Sequence, residues 1–205
     1  MPFNSKLNEY WVTTKRQVVA VFFTVLSLLV VSLPVQAFEI GVTGLKGTEN
    51  DTQGYSFFIA DKFSRRSNLY WNLGVHRYDD VLVEWNKSEL IFPLDSVELS
   101  LSYRHQLGSR NPAKRGFSME YQLGVAAALT ENKFTWTTLD KEKYFSEKGD
   151  GSVFLAISTH YKISSNISAI MGIKHFPDMF EFGSMSSVFL GVKVNLDFGP
   201  KYYGN

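Results

Sequence analysis

From residue 38 onward, apolar and polar side chains alternate one for one in run after run. In the last run, Val188, Leu190, Val192, Val194, Leu196 and Phe198 fall on one face, with Phe189, Gly191, Lys193, Asn195 and Asp197 between them. Successive side chains on a strand point to opposite faces, so this period predicts a strand with one apolar and one mostly polar surface. The same alternation appears at Leu69–Val75, Val97–Tyr103, Phe117–Ala127 and Val153–Tyr161. No stretch after Ala37 carries a convincing helical stripe. Counting every run predicts about eight strands, near 38–46, 54–64, 68–78, 95–106, 116–130, 151–162, 167–176 and 187–198.

The connections alternate too. KGTENDTQ, 79–94, 131–150 and PDMFEFGSMS are longer or polar, while SRRS, LGSRNPAKR and ISSN are tight. An even number of strands of roughly ten residues, with short turns at one end and long loops at the other, predicts an all-β, eight-stranded antiparallel up-and-down transmembrane β-barrel. A soluble sandwich also alternates, but its outward face is polar. Here the polar face holds Gly, Ser, Ala and a few charges, as a narrow barrel interior requires, and the aliphatic face is continuous. Phe38, Tyr55, Phe63, Trp71, Tyr103, Phe117, Tyr161, Phe176 and Phe198 sit at or near strand ends, where interfacial girdles are expected.

The N-terminus adds a compartment. Lys6, Lys15 and Arg16 precede an uncharged run from Val18 to Leu33, then Pro34 and the small-residue site Val35-Gln36-Ala37. This layout predicts a secretory signal peptide over 1–37, a barrel over 38–198 and a short tail over 199–205. A signal peptide followed by a barrel implies the outer membrane of a double-membrane bacterium, with both termini of the barrel in the periplasm. The expected partners are outer-membrane lipid, lipopolysaccharide and, during insertion, the barrel-assembly machinery. The chain has no Cys, which excludes disulfides, thiolate metal sites and a cysteine nucleophile. A formal net charge of +1 argues against a nucleic-acid partner.

Eight strands enclose a space that side chains can fill. By parity Arg104 and Glu120 point inward as diagonal neighbours forming an ion pair, with His76, Glu98, His160, Lys174 and Lys193 completing an interior polar network. Buried charge is usually paired, so the network reads as structural more than as an ion path. No phosphate loop, dinucleotide fingerprint or zinc-protease motif occurs, and no metal or cofactor is expected. The charged stretch from Asp140 to Asp150 is balanced by lysines and reads as a solvated loop.

Three segments carry a resemblance: EYQLGVAAAL (120–129), GSVFLAISTHYKISSNISAIMGIKHF (151–176) and SSVFLGVKVNL (186–196). They resemble the second half of the lipid A 3-O-deacylase barrels, outer-membrane esterases whose catalytic His and Ser project toward the lipid from one strand. His175 matches the family's histidine and faces outward with Ile173. The family's serine falls two residues later, where this chain has Pro177, and Glu181 comes too early for the family's acid. The resemblance thus implies the fold with a degenerate catalytic motif, leaving His175 as the only catalytic candidate. Ser184, Ser186 and Ser187 lie across the last hairpin. The reading that follows is an integral outer-membrane barrel, non-enzymatic, with a filled lumen and displayed loops; the alternative is a lipid A deacylase-like esterase.

Overall fold

Each of the eight alternating runs forms a strand in the computed structural model, which describes Thr24 and residues 37–48, 52–64, 67–85, 88–107, 116–136 and 141–197. The strands are β1 (Ala37–Gly47), β2 (Gln53–Lys62), β3 (Leu69–Trp85), β4 (Ser88–Leu107), β5 (Phe117–Ala128), β6 (Asn132–Trp136), β7 (Lys141–Ser146), β8 (Gly151–Lys162), β9 (Ile167–Phe176) and β10 (Met185–Asp197). Eight of them close into a barrel in the order β1-β10-β9-β8-β5-β4-β3-β2, and β6 and β7 form a separate two-stranded hairpin. Every pair of neighbours is antiparallel. Closure is made by β1 and β10, paired from Ala37↔Asp197 to Gly47↔Ser187, so the barrel sheet has no open edge. Apart from Thr24 and Ala37, the predicted signal peptide lies outside the described residues, as do the tail 199–205, Phe198, Arg65-Arg66 and residues 108–115.

Parity sorts the two surfaces. Val188, Leu190, Val192 and Val194 are exposed on the outside of β10, and Leu196 is half-exposed. Val153, Leu155 and Ile157 of β8, and Met171 and Ile173 of β9, face outward in the same way. Tyr55, Tyr103, Phe117, Tyr121 and Tyr161 are also exposed, with the Phe117 and Tyr161 rings 4.8 Å apart between β5 and β8. The inward positions alternate large with small. A side chain at Gly41 would collide with the Phe58 ring, and one at Gly124 with the Phe154 ring, so these glycines let aromatic rings lie across the lumen.

Four features depart from the expectation. The segment 79–94, read as a connection, is mostly strand: β3 continues to Trp85 and β4 starts at Ser88, with an irregularity between Tyr78 and Val81. The acidic pair Asp79-Asp80 interrupts the alternation, and the register shift resets it so that Val81 pairs with Phe92. The second is the hairpin β6–β7 inside 131–150, where Lys133 bonds Glu142 at 3.1 Å across the strands. Third, 177–184 is not simply displayed. It folds into the barrel mouth, burying Met179 and Phe180, with Phe180 in the left-handed region at φ 56°.

Finally, Phe176 is not a girdle residue. It shares the inward parity of Lys174 and is fully buried, its ring 5.4 Å from Phe154. Tyr78, Leu94, Phe154, Phe176, Met179 and Phe180 together form an apolar plug across the loop end of the barrel. Above it, Phe145 of β7 lies 5.2 Å from Phe92 and 6.0 Å from Phe182, and Glu181 N donates to Phe145 O, tying hairpin and mouth loop together.

Candidate functional site: the filled lumen and an outer His–Ser pair

The polar residues read from the sequence all lie inside the barrel, but in two clusters rather than one. The cluster beneath the plug is built on Glu98 of β4. Its Oε2 accepts from Lys174 Nζ of β9 at 2.5 Å and lies 3.0 Å from His76 Nε2 of β3. Lys174 Nζ also sits 4.7 Å from the centroid of the Phe154 ring, the junction between charge and plug.

The second cluster is built on Arg104. Its guanidinium donates Nη1 and Nη2 to both oxygens of Glu39, each at 2.9 Å, and Nε to Glu120 Oε2 at 2.8 Å. Arg104 and Glu120 are direct cross-strand partners of β4 and β5, not diagonal ones. Lys193 Nζ donates to Glu39 Oε2 at 2.8 Å, and His160 Nε2 lies 3.0 Å from Glu120 Oε2. The Tyr70 ring closes one side, its centroid 3.8 Å from the Arg104 guanidinium carbon. The fork geometry is what selects arginine here, since it binds one carboxylate with two parallel bonds and still reaches a second.

Glu39 is the residue that sequence reasoning missed. Phe38 was placed on the aromatic face, so parity alone puts Glu39 in the lumen. Two carboxylates then face Arg104 and Lys193, and the cluster balances. Between the two clusters lies a cavity of about 60 Å³. Ser56, Asn72, Ser100, Gln122 and Ser158 contribute polar side chains to its wall, with several bonds among neighbours such as Thr43–Ser56 at 2.5 Å and Gln122–Ser100 at 2.5 Å. Among the described residues, no three acidic or histidine groups converge as metal ligands.

On the outside, at the loop end of β9 and β10, His175 and Ser186 are direct cross-strand partners. His175 Nδ1 lies 2.8 Å from Ser186 Oγ, and Ile173 and Val188 are exposed next along the same face. Of the three serines on this hairpin, Ser187 is fully buried on the inward side and Ser184 is in the loop, so Ser186 alone meets His175. β9 ends at Phe176, directly before Pro177, which has no amide hydrogen for the ladder. Glu181 is turned away, 3.3 Å from Lys143 Nζ, and no carboxylate pairs with His175 among the described residues. On the loop hairpin, the Tyr144 hydroxyl and then Lys133 hold the Glu142 carboxyl below the usual carboxylate range.

No protein family and no curated protein sequence matches the chain. Solved structures do match. The N-terminal β-barrel domain of Pseudomonas aeruginosa OprF aligns with a TM-score of 0.52 and 15% identity, covering 78% of this chain and 98% of that one. Ail, the attachment invasion locus protein of Yersinia pestis, aligns with a TM-score of 0.50 and 8% identity over 79% and 100% of the two chains. The outer membrane enzyme PagL aligns at 0.49 with 14% identity, covering 76% and 98%, a likeness that assigns no activity. At these identities the matches establish the fold, a small closed β-barrel of the kind found in outer-membrane proteins.

Proposed function

We propose that the chain is an integral outer-membrane barrel that carries no substrate through its lumen and presents its loop end to the outside of the cell. The observation that carries this is the pairing of two surfaces. Large apolar side chains stay exposed around the wall, from Leu73 at 36% to Leu190 at 66%, while the lumen is closed by charge pairs and an apolar plug. In water such a belt is an aggregation surface; in hydrocarbon it needs no partner, and a closed barrel leaves no backbone edge unsatisfied. The loops then serve envelope structure or contact with other molecules at the surface.

Orientation follows from the connections. Ala37 and Asp197 lie at the end with short turns such as 163–166, and the β6–β7 hairpin lies at the other. Short turns face the periplasm in bacterial barrels. Trypsin added to intact cells should therefore cut within Lys141–Lys148 and spare the Arg65-Arg66 turn. Cleavage at Arg65-Arg66 with the hairpin protected would invert the topology.

One observation favours a second reading, ester hydrolysis at the outer face. Ser186 supplies the hydroxyl that Pro177 lacks, and His175 Nδ1 is within reach of its proton. In that reading His175 takes the proton as Ser186 Oγ attacks an ester carbonyl. A group to orient the imidazole is part of such a site, and Glu181 of the adjoining loop is engaged by Lys143. The non-catalytic reading predicts that lipid A from cells making this chain is unchanged in mass, with or without Ser186→Ala. Loss of an acyl chain that both His175→Ala and Ser186→Ala abolish would install the hydrolase instead.

A further inference from the structure

Where the apolar wall meets the loops, β1 carries a cation without a counter-charge. Parity puts Val42, Gly44 and Lys46 on the outer face, since Thr43 and Leu45 between them are buried in the lumen. Lys46 is exposed and has no ion-pair or hydrogen-bond partner among the described residues. On the β10 side it faces Val188, an apolar partner. On the β2 side the next outward cation is Arg77, already held by Asp79 at 2.9 Å and Asp95 at 3.5 Å. The backbones of Lys46 and Arg77 are two strands apart, about 10 Å, beyond the ~8 Å screening length of physiological salt.

Two more donors flank Lys46. Gln53 is its cross-strand partner on β2, and Tyr55 is the partner of Gly44, both exposed. Neither the Gln53 amide nor the Tyr55 hydroxyl has a hydrogen-bond partner among the described residues. Below them the wall is notched. A Cβ at Gly44 would meet only the Leu190 carbonyl oxygen, at 3.9 Å, while the Tyr55 and Leu190 side chains stand on either side.

Donors without acceptors, one of them charged, select an anion, and an apolar notch beneath them selects an anion carried on a hydrocarbon chain. We propose that Lys46, Gln53 and Tyr55 bind the phosphate of a membrane lipid, with one of its acyl chains in the Gly44 notch. The Lys46 stem can lie along the wall while its ammonium stays at headgroup level. A free phosphate would meet the donors and leave the notch empty, so the occupant is the lipid. The site rests on the outer wall facing hydrocarbon, as proposed above.

The test titrates the folded chain in detergent micelles with phosphatidic acid, or with phosphatidylcholine of the same acyl chains, and counts bound lipid by native mass spectrometry. A heat-modifiable band on a gel first confirms that each variant has assembled. The first phosphatidic acid should bind about fivefold tighter than phosphatidylcholine, equivalent to the ~1 kcal/mol of one lysine at an anionic surface. Lys46→Gln should erase that preference, and Lys148→Gln on the exposed loop should keep it. Gly44→Leu should weaken both lipids and keep their ratio. A preference that survives Lys46→Gln, that Lys148→Gln removes, or that equimolar inorganic phosphate abolishes would overturn the site. So would Gly44→Leu with no effect on either lipid. An outer wall that meets water removes the membrane reading and this site together, whereas an assembled barrel that binds both lipids equally removes the site alone.

Discussion

Arginine at Val192 should prevent the barrel from assembling in a membrane. Val192 lies on the outer face of β10, 45% exposed, between Val42 of β1 and Ala169 of β9. A charge near the bilayer midplane on the lipid face of a barrel costs ~2–4 kcal/mol, a large part of the stability of a small domain. The neighbouring position already holds a cation: Lys193 is 5% exposed, points inward and bonds Glu39. One residue along the strand, the same kind of charge changes from tolerated to excluded. Asn195→Arg is the control, because Asn195 pairs with Glu39 of β1 and shares its inward parity at the short-turn end of the barrel. Folding into vesicles, followed as the fraction of heat-modifiable barrel on a gel, should fall sharply for Val192→Arg and little for Asn195→Arg. Equal yields from the two variants would mean that the outer face does not meet lipid.

Removing Arg104 should be the most damaging single truncation inside the lumen. Its guanidinium holds two buried carboxylates, so Arg104→Met strands Glu120 with His160 alone and leaves Glu39 to Lys193. Breaking a buried pair by removing one partner costs about 3–5 kcal/mol, mostly from the charge left behind. Arg104→Lys should also lose stability, since an ammonium cannot reproduce the bidentate fork. Removing one carboxylate together with the guanidinium should recover much of the loss, because Glu39 and Lys193 then remain as a balanced pair. Urea unfolding in vesicles should therefore rank the native chain first, then the double variant Arg104→Met/Glu120→Gln, and Arg104→Met last. A single variant as stable as the native chain would show that the cluster contributes nothing to holding the barrel.

The two predictions rest on features that differed in how legible they were. The wall could be read residue by residue, because a strand's period of two is set by backbone geometry and survives any choice of neighbours. The run from Val188 to Leu196 shows this, with its odd positions inward and its even ones outward. Strand ends were harder. β3 and β4 run past the predicted boundary because the register shift at Tyr78/Val81 absorbs Asp79-Asp80, and a shift of this kind has no signature in composition.

The lumen was half legible. Parity placed Arg104, Glu120, His76, Glu98, His160, Lys174 and Lys193 on the inner face, but inner-face residues sort into layers by the stagger of strands distant in sequence. Glu39 and Arg104 are 65 residues apart, and only closure of β1 onto β10 brings Lys193 to the same carboxylate. The plug was hidden for a related reason. Met179 and Phe180 sit in a segment whose turn residues read as loop, and nothing local says that the loop turns inward onto Phe154 and Phe176. The His175–Ser186 contact depended on the register of the last hairpin, which brings the two opposite each other with residues 176–185 between them.

The measurement that bears most directly on the central claim is the surroundings of the outer wall at Leu190. This residue is 66% exposed midway along β10, and the chain has no native cysteine to interfere with labelling. A nitroxide attached through Leu190→Cys, with the protein in vesicles, reports collisions with oxygen, which concentrates in hydrocarbon, and with a water-soluble nickel chelate, which does not enter it. Lys148→Cys on the exposed loop gives the aqueous reference. The membrane-barrel account predicts frequent oxygen and rare chelate collisions at Leu190, with the reverse at Lys148. Chelate access at Leu190 equal to that at Lys148 would contradict it.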